Sequence, residues 1–227
     1  MHPMKSTLAP LLAVLLPLGL HAQSAPPARL GGITLQTHDF NTGQPHSFTS
    51  DGNTATIVAG GADIWQAADS FVFNYLAVTN DFDFRLRVLS VEDADGGGFA
   101  RSGLMVRDAL AAGSRHMMVP VNANNTSQTI YRTRAGDNAL DNGTVFPAFG
   151  SNSWVRLVRH GNVFADFMSA NGTNWTPIYQ FDGAKEGDGA FTNAVMYLGI
   201  ATSSHHAGKT TTAVVSDFGI TLSLIHI

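Results

Sequence analysis

The chain has 227 residues, a formal net charge of −4 and 13% charged side chains, about half the usual share for a soluble domain. That balance leaves no electrostatic reason to expect nucleic acid or an anionic membrane as partner. With 23 glycines and no cysteine, it reads as one turn-rich β domain that must rest on its core without disulfides.

Residues 1–22 read as a signal peptide: Lys5, the apolar run from Leu8 to Leu20, then Ala22 before the cleavage point. The run is about 13 residues, too short to span a bilayer comfortably, and Pro10 and Pro17 interrupt it. No second run of membrane length follows, so no membrane span is expected. The mature chain should begin near Gln23 and reside outside the cytoplasm, secreted, extracellular or periplasmic.

Residues 23–36 are expected to be a lead-in, opening on the Pro- and Gly-rich QSAPPARLGG, with the domain over 37–221. Phe71, Phe73 and Tyr75 alternate with Val72, Asn74 and Leu76. Phe82, Phe84, Leu86 and Val88 alternate with Asp83, Arg85 and Arg87, the period of a half-buried strand.

Between Arg101 and Arg134 three short strands are expected, joined by Gly-, Ser- and Asn-rich turns. Alternation would set Arg107, His116, Arg132 and Arg134 on one face, with Leu104, Val106, Met117, Val119 and Tyr131 packing inward. Such a cationic face is either a ligand-binding face or an ordinary wet sheet. Asp108 to Ala112 has room for one helical turn.

Trp154 to Arg159 and Val163 to Ser169 flank His160-Gly161-Asn162, a hairpin signal, and Asn171-Gly172 marks another turn. Met196 to Thr202 and Val214 to Thr221 complete the pattern. The apolar tail 222–227, LSLIHI, is either a last strand or the sign of a truncated record. The spacing predicts an all-β fold, two antiparallel sheets packed as a β-sandwich.

Four segments carry a resemblance: GGADIWQAADSFVFNY (60–75), SGLMVRDALAAGSRHMMV (102–119), WVRLVRHGNVFADFMSANGTNWTPI (154–178) and YLGIATSSHHAG (197–208). In that order they resemble the DUF1349-type module of secreted bacterial proteins, in the concanavalin A-like lectin/glucanase superfamily. The likeness spans roughly 37–221 and implies a jelly-roll β-sandwich without an established catalytic role. The family's DIWG-type motif falls on Asp63, Ile64 and Trp65, with Gln66 in place of Gly. Its other motifs fall on Gly103 to Arg107, Arg115-His116, Tyr131-Arg132 and Ser204-His205.

A glycosidase of the same superfamily is the enzymatic alternative, and it needs two carboxyl groups flanking the bond. The superfamily's retaining glucanases resemble an E-x-D-x-x-E strand motif. The chain has only Glu92 and Glu186, and the residues after Glu92 do not place carboxylates at that spacing. An Asp pair remains open.

Asp93-Ala94-Asp95-Gly96 hints at a calcium loop, but Gly97, Arg101 and Leu104 stand where ligands belong. No cofactor is expected, with calcium left open only at an irregular site near Asp63 or Asp69. Gly208-Lys209-Thr210 lacks the earlier Gly and the context of a phosphate loop. His205 and His206 would point to opposite faces if they lay in a strand, a poor start for a metal pair.

Trp154 is expected in the core, while Trp65 and Trp175 border turns and can meet a sugar ring. Arg forks bind carboxylates or vicinal oxygens, though exposed pairing with Asp108, Asp137 or Asp141 would also occupy them. Asn124, Asn125, Asn142, Asn171 and Asn174 each head an N-x-S/T triplet and read as surface turns.

The expected function is a non-catalytic carbohydrate-binding or adhesive module with a polysaccharide or glycan as partner. Arg107, His116, Arg132 and Arg134 would line its face, with Trp65, Trp175 and His205 at the rim. The other alternative is a structural protein-binding surface protein.

Overall fold

The computed structural model describes residues 28–221 apart from residue 95. The expected signal peptide and the tail 222–227 lie outside the described residues. The first strands are β1 (Ala28–Leu30), β2 (Ile33–Asp39), β3 (Ser47–Ser50), β4 (Thr54–Gly60), β5 (Val72–Thr79) and β6 (Phe82–Val91). The central ones are β7 (Arg101–Arg107), β8 (His116–Asn122), β9 (Thr126–Ser127), β10 (Ile130–Arg132), β11 (Leu140–Asp141) and β12 (Phe146–Pro147). The last are β13 (Ser153–His160), β14 (Val163–Ser169), β15 (Thr176–Asp182), β16 (Val195–Ser203) and β17 (Thr210–Ile220).

They form a two-sheet antiparallel β-sandwich of the jelly-roll kind. One sheet has eight strands in the order β1-β2-β5-β16-β7-β8-β10-β11. The other has seven, in the order β15-β14-β13-β6-β17-β4-β3, and β9 pairs separately with β12. Part of the expected lead-in is thus sheet, because Ala28 and Leu30 are buried and pair across to Leu35 and Ile33. Asp108 to Ala111 forms bends and Ala112 starts a tight turn closed by Ser114 N–H to the Ala111 carbonyl, so no α-helical turn forms there.

Strand alternation builds the main core. Leu104 and Val106 of β7, Met117 and Val119 of β8, and Leu198 and Ile200 of β16 point between the sheets. There they meet Leu86, Val88, Val155, Leu157, Phe164 and Val215 from the seven-stranded sheet. The intervening residues of the eight-stranded sheet face outward, yet they are also buried. Phe73, Met105, Met118, Ile130 and Ala201 form a second apolar cluster with Phe40, Ile64 and Phe71. The segment 61–71, between β4 and β5, supplies its roof. Gly61 makes the turn into that segment at φ +128°, where a Cβ would sit 2.1 Å from the Ser70 carbonyl oxygen.

Candidate functional site

The four residues expected on one cationic face do not share a solvated surface. Arg107, His116 and Arg132 stand side by side in register on β7, β8 and β10, but at 0%, 0% and 1% exposure. The roof excludes water from them. They surround Asp69: Arg132 Nη2 lies 2.6 Å from Oδ1, Arg107 Nη1 3.2 Å from Oδ2, and His116 Nδ1 3.7 Å from Oδ2.

The remaining guanidinium protons go mostly to loop carbonyls, with Ser114 Oγ 2.9 Å from Arg107 Nε and Met105 Sδ 3.5 Å from its Nη1. Arg107 donates to Ala109 and Ala111, and Arg132 donates to Gln66, Ser114 and Asp137. Arg107 also lies 4.3 Å from the centroid of the Phe40 ring. Burial lowers the Arg107 pKa to about 10, so it stays protonated. Burial, together with the two guanidiniums, holds His116 near 3, so its ring is neutral. This cluster is a clamp that ties three loops to the sheet, and its atoms are closed to a ligand. The Asp69 carboxylate is occupied by arginine, which removes it as a calcium ligand.

Arg134 lies past the end of β10, exposed, with Nη2 donating to the Gly187 carbonyl and Nε 3.7 Å from Asp137. Trp65 is half-buried on the roof, packed against the second apolar cluster. Trp175 precedes β15, in the other sheet, where Arg156 lies 5.6 Å from its ring centroid. The structure therefore separates Trp175 from His205.

His205 sits on the rim of the eight-stranded sheet, in the turn after β16, at φ +58°. Ser203 and Ser204 donate to the Gly61 carbonyl and fasten that turn beside the roof. There Asp63 reaches two bases: Oδ2 is 3.4 Å from His205 Nε2, and Oδ1 is 3.5 Å from Arg101 Nη2. Arg101 is buried and donates to the Phe99 carbonyl. The Phe99 ring, 46% exposed, lies 5.4 Å from the His205 ring. An exposed aromatic surface thus adjoins a half-exposed carboxylate and imidazole.

Sequence reasoning missed Phe99 and Arg101. Odd-numbered residues from Arg101 to Arg107 share one face, and that parity was the available signal for Arg101. Phe99 precedes the strand in a Gly-rich turn, outside any periodic pattern. Asp93 accepts from the backbone N–H groups of Gly96 and Gly98. Asp95 lies outside the described residues.

Trp154, expected in the core, instead lies half-buried on the outer face of the seven-stranded sheet. Its neighbours Val155 and Ser153 take the inward positions. Arg85 and Arg87 flank its ring, and the Gly172 turn packs against it.

No protein-family model matches the chain, and no curated protein matches it in sequence. Solved structures do match in shape. A functionally unknown protein from Saccharomyces cerevisiae has a TM-score of 0.64 at 13% identity, over 84% of this chain and 97% of that one. A mutant form of the GH43 protein BlXynB from Bacillus licheniformis has a TM-score of 0.50 at 10% identity, over 82% of this chain. The match spans only 39% of that protein's chain. Carbohydrate-binding module CBM66 from Bacillus subtilis matches 80% of this chain and 95% of its own, with 14% identity and TM-score 0.47. That last likeness is too slight to argue from. The first two bear on the fold alone.

Proposed function

We propose that the chain is an exported, non-catalytic carbohydrate-binding module whose site is the rim formed by Asp63, Phe99, Arg101 and His205. The observation that carries this reading is the exposed Phe99 ring beside the Asp63 carboxylate, which Arg101 and His205 hold in place. A sugar ring presents an apolar face and a set of hydroxyls. Phe99 can take the first, and Asp63 and His205 can exchange hydrogen bonds with the second. Arg101 acts as a positioning residue, because its burial keeps it from the ligand.

The DUF1349-type resemblance agrees with this reading, and the signal-like start of the chain supports an extracellular or periplasmic setting. Among the described residues no helix is long and apolar enough to cross a membrane.

The test is binding of the purified chain to a panel of polysaccharides, comparing the native sequence with Phe99→Ala, Asp63→Asn and Arg134→Ala. The rim reading expects about a tenfold loss or more for the first two and native binding for the third. Binding that survives both rim changes, or that depends on Arg134, overturns it.

A further inference from the structure

β6 and β13 lie side by side in the seven-stranded sheet, with Arg87 opposite Trp154 and Arg85 opposite Arg156. All four face outward, because Leu86, Val88, Val155 and Leu157 point into the core. The Arg85 and Arg87 guanidiniums lie 5.5 and 5.8 Å from the Trp154 ring centroid. The Arg156 guanidinium lies 5.3 Å from the centroid of Phe167 and 5.6 Å from that of Trp175. Two indoles and a phenyl ring thus alternate with three cations over neighbouring strands.

The cations are not equally engaged. Arg156 pairs with both oxygens of Asp83. Arg87 is steadied by neutral oxygens, the Ser151 carbonyl at 3.2 Å and Asn152 Oδ1. Arg85 touches the Trp154 ring and has no carboxylate partner among the described residues. Asp217, exposed on β17, accepts from its neighbour Ser216. Among the described residues, two guanidiniums beside an indole are therefore left without a carboxylate partner.

We propose that this face is a second binding surface, for an acidic polysaccharide. Sugar ring faces stack on Trp154 and Trp175, while carboxylate or sulfate groups meet Arg85 and Arg87. The inference goes beyond the rim site and uses a different sheet. Nucleic acid fits less well, because its backbone carries a charge about every 3.4 Å per strand and calls for a dense basic track. The chain has 13 basic residues against 17 acidic ones, and this face offers two unpaired cations. A glycan with an anion on every sugar, or every second one, matches that sparse spacing between aromatic rings.

The test is affinity electrophoresis of the full chain in gels containing polygalacturonate, dextran sulfate or neutral dextran, with a parallel titration of single-stranded oligo-dT. Retardation by at least one acidic polymer and not by dextran is expected. It should weaken about tenfold in Arg85→Gln and in Trp175→Ala, and stay unchanged in Arg134→Ala, which removes an exposed cation elsewhere. Arg85→Gln removes only a ring contact, so an unchanged thermal midpoint shows that the fold is kept. The two acidic arms tell carboxylate from sulfate recognition. No retardation by either acidic polymer overturns the proposal, as does native binding in Arg85→Gln, an equal loss in Arg134→Ala, or tighter binding of oligo-dT.

Discussion

Asp69 and Arg132 join the roof to the eight-stranded sheet through a contact of 2.6 Å, with both side chains sealed from solvent. The same carboxylate also receives Arg107. Asp69→Asn leaves two buried guanidiniums without their counter-charge. The expected cost is about 3–5 kcal/mol of unfolding free energy, the usual penalty for breaking a buried ion pair from one side. Urea denaturation of the variant checks it, and a change under 1 kcal/mol would mean the clamp is not needed.

Asp83→Asn makes the contrasting case. Asp83 also meets a guanidinium, that of Arg156, but both side chains keep 17–18% exposure on the outer face of the other sheet. Partial access of water weakens this bidentate pair relative to the sealed clamp, so the same denaturation experiment should show a smaller loss, of about 1–2 kcal/mol.

Two buried groups contribute to the pH dependence in opposite directions. Burial raises Asp166, inside the sandwich, to about 7 although Thr129 and Tyr179 donate to it. Its contribution is full below pH 4 and is lost as pH rises through 7. His116, held near 3, contributes fully above its unfolded value of 6.5 and loses that as pH falls towards 3. Between pH 4 and 6.5 the two slopes oppose each other. Asp166→Asn should leave the protein no less stable at pH 4 and more stable at pH 8. Its thermal midpoint relative to the native chain should therefore climb between those values. A difference that stays flat from pH 4 to 8 would contradict the raised pKa.

Two glycines separate space from strain. An added Cβ at Gly199 would stand 2.1 Å from the Asn74 carbonyl oxygen, so Gly199→Ala must displace strand β5. A loss of about 1–3 kcal/mol or more is expected. At Gly219 nothing lies within 4 Å and φ is not positive, so Gly219→Ala should be neutral or stabilising by about 0.4–1 kcal/mol. Thermal denaturation of the pair reads both.

The sheets were legible because alternation is a property of consecutive residues. Leu104, Val106, Met117 and Val119 face the core as their spacing predicts. The fate of the opposite face was not legible. Arg107, His116 and Arg132 do share it, but it is roofed by residues 61–71 and 108–115, which carry no periodic pattern. Whether polar residues on a strand meet water or a buried partner depends on such long-range cover, and Asp69 lies 38 residues before Arg107. Trp154 faces outward for a related reason. Its outward register follows from Val155 and Leu157 facing in, although the size and apolarity of an indole by themselves point to the core.

The most direct measurement is a glycan-array screen of the purified, folded chain beside its Phe99→Ala variant. Selective binding to a limited set of glycans is expected, with loss of signal for neutral members of that set in the variant. A folded native chain that binds nothing on the array, or a variant that keeps the full native profile, would contradict the rim site.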